Sequence, residues 1–167
     1  MKLEIKELLK FPGSEEVFEF NENWDYLETG QGIVKFASSV SFSGKVTNIG
    51  NSVLAKGDVT TRVTLKCNRC LKLFEHDVAV DYLEEFCTPD EEENEDCIAY
   101  DGEVIDFRPS VAENLILVLP MKWLCNVECH GICSQCGQDL NEIRCDCREE
   151  KVDPRMQALQ KFFEEKE

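Results

Sequence analysis

Short runs of alternating apolar and polar residues fill the first half of the chain, and this period of two is typical of half-buried β-strands. The clearest run covers residues 52–66, in which Val59, Thr61 and Val63 fall on one face. We predict that this face is buried and that the opposite face, which carries Arg62, is wet. Further strands are predicted at residues 2–5, 17–21, 32–47 and 73–85.

Two turns are predicted to join these strands into hairpins. The sequence Asn48-Ile49-Gly50-Asn51 separates the strands at 32–47 and 52–66, and Asn and Gly readily adopt the positive φ that a tight hairpin requires. The sequence Cys67-Asn-Arg-Cys70 then leads from that strand to the one at 73–85. The N-terminal two thirds of the chain is therefore predicted to form a mainly antiparallel β-sheet or a partly open barrel.

A first helix is predicted over residues 110–119. Ser110-Val-Ala-Glu113 has the spacing of a capping box, in which a hydroxyl and a carboxylate satisfy free amides at the start of a helix. The apolar residues that follow end at Pro120, which cannot continue a helix. The helix is predicted to be mostly buried through Val111, Leu115, Val118 and Leu119.

A second helix is predicted near the end of the sequence. Asp153 has the character of an N-cap, Pro154 suits the first helical position, and the pattern continues to about Glu165. Its apolar stripe is interpreted as core packing rather than as a partner site. The stripe consists of Met156, Leu159, Phe162 and Phe163.

Length and terminal sequence limit the class of protein. With 167 residues the chain fits one compact domain, or one domain with a small metal-held appendage. The N-terminus alternates apolar and charged residues, and no stretch approaches the roughly 20 apolar residues that a membrane span needs. We therefore expect a cytoplasmic protein without membrane partners.

The charge of the chain is strongly negative and unevenly distributed. The net charge is −16, and twelve acids with no Lys or Arg lie between Asp81 and Asp106. Such a run is typical of a solvated, self-repelling loop, and its functional alternative is a docking surface for a basic protein. A chain this acidic is a poor general binder of nucleic acid, because phosphate repels carboxylates.

One segment differs from this acidic background. Residues 59–74 contain no acid, and basic side chains gather there around the first cysteine pair. They are candidates for contacts with phosphate, although an ordinary solvated strand face is the alternative. The candidate nucleic-acid contacts are Arg62, Lys66, Asn68, Arg69 and Lys72.

Eight of the ten cysteines occur in closely spaced groups, which indicates zinc rather than disulfides in a chain without a secretory signal. Cys133 and Cys136, followed by Cys145 and Cys147, can close a tetrahedral all-thiolate site by themselves. Gly137 lets the backbone turn tightly around the metal. A closed site of this kind is structural, because it leaves no position for water or substrate.

The remaining close-spaced cysteines allow a second zinc site, formed by Cys67, Cys70, Cys125 and Cys129. Ligands could be exchanged between the two sites, since Cys129 and Cys133 are close in sequence. One zinc ion or no metal are the alternatives to two zinc ions. His130 could also replace a sulfur. Two further cysteines match no ligand spacing and are expected to be free thiols or core-edge residues. These are Cys87 and Cys97.

Signals of catalysis are thin, and the chain is predicted not to be an enzyme. It has two histidines, His76 in a β alternation and His130 in the cysteine cluster. It has no phosphate-binding loop, glycine-rich nucleotide fingerprint or Ser-His-Asp arrangement. The alternative function is a thiol-based redox or metal-handling regulatory protein, while the abundance of thiolates argues against a zinc hydrolase.

The sequence resembles the YceD family of large ribosomal RNA subunit accumulation proteins. The resemblance rests on Cys67-Asn-Arg-Cys70, the acidic middle, Glu113-Asn-Leu-Ile-Leu-Val-Leu-Pro120, the later cysteines and Asp153-Pro154-Arg155. Between the ligands the chain departs mildly from the family pattern, with Ile132, Ser134 and Asp139 where relatives tend to have Leu, Pro and Asn. Some relatives keep the first cysteine pair and lose most of the later cluster.

The resemblance implies a cytoplasmic, non-enzymatic factor for accumulation, processing or assembly of large-subunit ribosomal RNA. Its implied partners are that RNA or a basic ribosomal protein, because members are often encoded beside a small basic ribosomal protein. The predicted fold is α+β, with a small zinc-ribbon-like C-terminal module. We predict a β-rich domain over 1–122, with an acidic loop at 87–103, and a cysteine-rich zinc module with the C-terminal helix over 123–167.

Overall fold

The computed structural model describes residues 1–88 and 97–147. The chain divides into two compact units, Met1–Asn68 with Lys72–Cys125, and Arg69–Leu71 with the residues from Asn126 onward. A short 3-10 turn lies at Leu8–Lys10 and one α-helix, α1, at Arg108–Val118. The strands are β1 Lys2–Glu4, β2 Glu15–Glu22, β3 Tyr26–Thr29, β4 Gly32–Phe36, β5 Val40–Asn48, β6 Ser52–Lys66, β7 Leu73–Cys87, β8 Ile98–Ala99 and β9 Val104–Asp106.

The first unit is built on an open, mainly antiparallel sheet. Its central strand, β6, pairs with β5 and β4 on one side and with β7 along its whole length on the other. β2 extends the sheet beyond β5, β3 extends it beyond β4, and the short β8 joins the end of β7 in parallel. A separate pair is formed by β1 and β9. The predicted antiparallel architecture is confirmed, and the sheet is open.

Strand β6 matches its prediction, whereas the predicted strand at 32–47 is in fact two strands. β4 ends at Phe36, β5 begins at Val40, and the residues between them leave the ladder. The chain remains attached at this break, because the backbone N–H groups of Ala37 and Ser38 donate to Arg62 O at 2.8 and 3.2 Å. The alternation of apolar and polar residues does not predict this break between β4 and β5.

Two glycines allow β5 and β6 to approach each other closely. Gly44 and Gly57 are directly paired in the antiparallel register. A Cβ at Gly44 would lie 2.3 Å from Lys56 O, and one at Gly57 would lie 2.3 Å from Ser43 O. Since both obstacles are backbone atoms, no side-chain movement can relieve them, and the pairing requires glycine at these positions.

The core of the first unit is rich in aromatic rings. Phe42, which is fully buried, has its ring centroid 4.6 Å from that of Phe18, 4.7 Å from Tyr82 and 5.4 Å from Phe107. Edge-to-face pairs of this kind add to the free energy gained from burying the rings. The Tyr82 hydroxyl also shares a hydrogen bond of 2.6 Å with Ser110 Oγ, which connects β7 to α1.

Helix α1 begins two residues earlier than predicted, and the capping-box interpretation is wrong. Ser110 lies inside the helix, where its hydroxyl donates to Phe107 O at 3.1 Å. Pro109 in the first turn needs no amide partner, which explains why the helix can begin before the serine. Val111 and Leu115 are buried as predicted, but Val118 is 49% exposed.

Two of the predicted features fall wholly or partly outside the described residues. The second helix, at 153–165, lies outside the described residues, as do residues 89–96 of the acidic loop. Within the part of the chain that is described, no helix has the length and apolar character needed to cross a membrane.

Candidate metal centres

The cysteines fall into two groups of four, as the spacing predicts. Within each group the four Sγ atoms all lie within 4.8 Å of one another. The first group is mostly buried, with only Cys125 exposed, and in the second Cys133 and Cys145 are half-buried. The first group is Cys67, Cys70, Cys125 and Cys129, and the second is Cys133, Cys136, Cys145 and Cys147.

A tight turn positions the first two ligands of the second group. The backbone N–H of Gly137 donates to Cys133 O at 2.9 Å, and the N–H of Cys133 donates to Gln138 O at 2.8 Å. Gly137 has a φ of 72°, in the left-handed region that favours glycine. The N–H of Gln135 points at Cys133 Sγ, 3.4 Å away, as amides do around metal-bound thiolates.

Hydrogen bonds within the second group give its thiols different pKa values. Backbone N–H groups of Cys136 and Gln135 lower the pKa of Cys133 to about 6. The hydrogen-bonded side chain of Cys136 raises the pKa of Cys147 to about 12. The N–H of Cys147 lowers the pKa of Cys145, but the hydrogen bond with the Cys133 side chain, burial and the nearby charges of Cys133 and Cys136 together outweigh this, and the pKa is raised overall. Cys133 is thus the most acidic of these three thiols, and a bound cation would favour ionisation of the other two.

In the first group, Cys67 and Cys70 lie at the tip of the β6–β7 hairpin. The N–H of Cys67 donates to Lys72 O at 2.8 Å, which closes the tip, and the N–H of Asn68 donates to Trp123 O at 2.7 Å. Leu71 has a φ of 62°, an unusual conformation for a branched residue. The tight turn therefore bears backbone strain at Leu71 next to the cysteine pair.

An asparagine outside the predicted ligand set, Asn141, supports Cys129. Asn141 Nδ2 lies 3.5 Å from Cys129 Sγ and donates to Asp139 Oδ1 at 2.6 Å. Its Oδ1 accepts the N–H of His130 at 2.7 Å, so it organises the backbone as well as the sulfur. The Asp-Leu-Asn spacing is a recognisable Asx-turn signal that could have identified this residue from the sequence.

The donor set of each group fits a tetrahedral metal. Zinc bonds thiolate sulfur at about 2.3 Å, which places sulfurs at tetrahedral corners about 3.8 Å apart. The observed limit of 4.8 Å requires only a small contraction to reach that geometry. Both groups could therefore bind a metal ion through four thiolates, and His130 belongs to neither group.

The candidate nucleic-acid contacts have different environments in the structure. Arg62 Nε donates to Asp77 Oδ1 at 2.6 Å, and its Nη1 lies 3.6 Å from Glu75 Oε2. Arg69 Nη1 donates to the carbonyl oxygens of Val127 and Cys129 at 3.3 and 2.8 Å. Any phosphate at these two side chains would have to compete with those partners. The exposed candidates are Arg62, Lys66, Asn68, Arg69 and Lys72.

Cys87 and Cys97, which were expected to be free thiols or core-edge residues, are in fact bonded to each other. They form a disulfide with a Cα–Cα distance of 6.0 Å. The parallel pairing of β7 with β8 places Cys87 opposite Ala99, and the N–H of Tyr100 donates to Cys87 O at 2.9 Å. Tertiary pairing therefore brings together two cysteines whose spacing matches no ligand motif.

Comparison with known proteins places this arrangement in a family. The model of the large ribosomal RNA subunit accumulation protein YceD family matches residues 55–163, more than half of the chain. The matched region includes the hairpin tip and both cysteine groups. The chain therefore belongs to the YceD family, as the sequence resemblance implied.

The individual relatives share only a modest fraction of identical residues with this chain. An uncharacterized protein of Mycobacterium tuberculosis is 32% identical over 121 residues, which cover 69% of this chain and 58% of the relative. The uncharacterized protein YlbN of Bacillus subtilis is 26% identical over 170 residues, which cover 99% of this chain and 98% of the relative. The chain thus spans little more than half the length of its mycobacterial relatives. No solved structure matches it.

Proposed function

We propose that this chain is a non-enzymatic, cytoplasmic ribosome-biogenesis factor that promotes accumulation, processing or assembly of large-subunit ribosomal RNA. The observation that carries the proposal is the family match over residues 55–163, because the family is described by large ribosomal RNA subunit accumulation. Binding of ribosomal RNA or of a basic ribosomal protein is the proposed mode of action. The net charge of −16 supports a basic protein as one of these partners.

The proposed cofactor is Zn²⁺, held in two structural sites. Four cysteine sulfurs in each group support this choice, because thiolates prefer zinc to magnesium or calcium. The eight cysteine side chains would fill both coordination spheres and leave no position for a reacting molecule. Elemental analysis of the purified protein should find two zinc ions per chain, and a value that stays near zero after zinc-supplemented expression would overturn this assignment.

The proposed RNA contact lies at the basic end of the β6–β7 hairpin. Lys66 and Lys72 are exposed there, and exposed lysines can meet phosphates without sequence preference. Replacing both with Glu should weaken binding to large-subunit precursor RNA by at least about tenfold. A matched control is Lys2→Glu with Lys56→Glu, which changes the net charge equally at other exposed positions.

The two proposed modes of action predict different results for these variants. If both double variants bind precursor RNA as the unchanged protein does, the hairpin end is not an RNA contact and a basic protein is the better partner. If the control variant loses binding equally, the effect is one of total charge. Only selective loss in the Lys66→Glu, Lys72→Glu variant supports the proposed contact.

The cellular role has its own test. Cells lacking the gene should contain less large-subunit ribosomal RNA relative to small-subunit RNA, and the unchanged chain should restore the ratio. Affinity purification from growing cells, with sequencing of RNA and mass spectrometry of proteins, should enrich large-subunit RNA or ribosomal proteins. An unchanged RNA ratio together with no ribosomal enrichment would overturn the proposed function.

A second candidate function is thiol-based redox or metal-handling regulation. The observation that favours it is the pKa of about 6 at Cys133, since thiolates are the reactive form of cysteine. This function requires reversible zinc release under mild oxidant, with ribosomal RNA levels changing in parallel. Zinc retained during mild oxidation, with ribosomal RNA levels unchanged, would remove this candidate.

A further inference from the structure

The outer edge of β7 is without a strand partner over most of its length among the described residues. Along its inner edge β7 pairs with β6 over the whole strand, from Leu73 to Cys87. Along its outer edge, β8 covers only Phe86 and Cys87. Among residues 1–88 and 97–147, no strand pairs with the outer edge of β7 between Leu73 and Glu85. This stretch presents backbone donors and acceptors to an additional strand.

Apart from its acidic side chains, the edge lacks the usual features that prevent strand addition. It contains no Pro, Gly or Lys, and its pairing with β6 is one residue to one throughout, without a bulge. Val78, Val80 and Tyr82 anchor the strand in the core, while the alternate residues face outward. β7 is therefore a regular and well-supported template for strand addition.

Charge defines the kind of strand that this edge can accept. The outward face of β7 carries Glu75, Asp77 and Asp81 at alternating positions, and all three are exposed. Arg62 on β6 pairs with Asp77 and lies 3.6 Å from Glu75, so a basic segment would share these two carboxylates with Arg62. Asp81 stands directly opposite Asp58 on β6, which is also exposed. Like charges in this position repel each other, so a cation from an added strand would relieve the repulsion.

The same charges disfavour pairing with a second copy of the chain. In an antiparallel pair centred on Ala79, Asp77 of each copy would face Asp81 of the other. A pair centred on Val78 would place Glu75 opposite Asp81. Both arrangements set carboxylates against each other, which costs free energy and directs the edge toward a partner of opposite charge.

We propose that the outer edge of β7, from Leu73 to Glu85, binds an extended basic segment of a partner protein by strand addition. Lys or Arg at alternate positions of that segment faces Glu75, Asp77 and Asp81, while its backbone pairs with β7. The biological setting of this interaction rests on the proposed function. The binding itself is testable without it, because a failure here would leave RNA binding at the hairpin end unaffected.

The test uses the full chain and a synthetic peptide of about nine residues in which Lys alternates with Val. Hydrogen exchange should slow at amides of Leu73–Glu85 when the peptide is added, and the effect should weaken as salt is raised. A second peptide of the same sequence, methylated at backbone nitrogens, keeps the charge and loses the donors. Its affinity should be lower by at least about tenfold if strand pairing contributes.

A matched pair of charge reversals locates the site. Asp81→Lys should weaken peptide binding by about tenfold or more, whereas Glu19→Lys, an equal change at an exposed position on β2, should have less than about a twofold effect. Equal loss in both variants would indicate general attraction to an acidic protein and would overturn the proposal.

Three further results would also contradict strand addition at β7. The first is equal binding of the methylated peptide. The second is protection of amides on another strand with none on β7, and the third is protection of β7 by self-association in ultracentrifugation without peptide. Protection of β7 by an RNA oligonucleotide in place of the peptide would assign the edge to nucleic acid and overturn the proposed partner class.

Discussion

The β-sheet of the first unit and the cysteine-rich segment from Asn126 to Cys147 are held together by different forces. The buried hydrophobic cluster runs from Met1 to Trp123 and takes no residue from the later segment. That segment instead has turns, backbone hydrogen bonds and cysteines at ligand distances. One region can fold by burying apolar surface, whereas the other would take most of its stability from metal coordination if its cysteines hold zinc as proposed.

The difference matters because the two forces respond to different perturbations. Structural zinc in peptides contributes roughly 10–16 kcal/mol of apparent binding free energy at neutral pH, which is comparable with the net stability of a whole domain. A chelator should therefore act on the cysteine-rich segment and a cavity mutation on the sheet. Each of the following predictions tests whether this separation holds, in order of decreasing expected effect.

Metal removal should have the largest effect. Dialysis against a strong chelator should abolish protection from hydrogen exchange in the segment from Asn126 to Cys147, because few apolar contacts remain to hold it. Protection in β6 away from the hairpin tip should persist. If the segment keeps its protection without metal, or β6 loses its protection at the same time, the contrast between the two regions is wrong.

The second-largest effect is expected from a cavity in the aromatic core. Phe42→Ala removes a fully buried ring that packs with four other aromatic residues, and it should lower the free energy of unfolding by about 3–5 kcal/mol. Urea denaturation monitored by tryptophan fluorescence measures this loss. Zinc content should not change, and Phe11→Ala, at a 70% exposed position, serves as the control.

Lower pH should weaken metal binding at the second cysteine group. The pKa values of Cys145 and Cys147 are raised, so both hold protons at neutral pH that zinc must displace, whereas Cys133 with a pKa of about 6 holds little. Displacement of at least these two protons implies that affinity falls at least about a hundredfold for each pH unit between 8 and 7. Competition with a chromogenic chelator gives the slope, and a slope near zero would contradict this proton count.

Closing the space between β5 and β6 should have the smallest effect of the four. Gly57→Ala places a Cβ against Ser43 O and should destabilise the sheet by about 1–3 kcal/mol. Gly30→Ala is the matched control, because no atom lies within 4 Å of its added Cβ and its φ is not positive. Thermal unfolding of both variants tests whether glycine is required at position 57. Equal melting temperatures would show that β5 and β6 can move apart without a loss of stability.

Much of the sheet could be predicted because its signals are local. The alternation around Val59 and Val63 identified β6 and its buried face, and Asn48 and Gly50 identified the turn before it. The break between β4 and β5 could not be predicted, since both segments have strand character. It is decided by hydrogen bonds to Arg62 O on a neighbouring strand, which leave no signal in the segment itself.

The candidate sites show the same division. Ligand spacing identified both cysteine groups because two sulfurs from one tight turn reach two corners of a tetrahedron. The engagement of Arg62 by Asp77 depends on cross-strand register, which the composition of residues 59–74 does not contain. Because residues 59–74 contain no acid, the sequence suggested that Arg62 was available to bind phosphate. In the folded protein Arg62 is instead paired with Asp77.

The sequence by itself determined the periodic strands, the eight metal-type cysteines and the family, because these depend on spacing within short segments. Only the tertiary structure decided that Cys87 pairs with Cys97, that Asn141 supports Cys129 and that the outer edge of β7 lacks a strand partner among the described residues. These features join residues that are distant along the chain or depend on which strands become neighbours. Their physical origin is pairing across the fold, which no local pattern specifies.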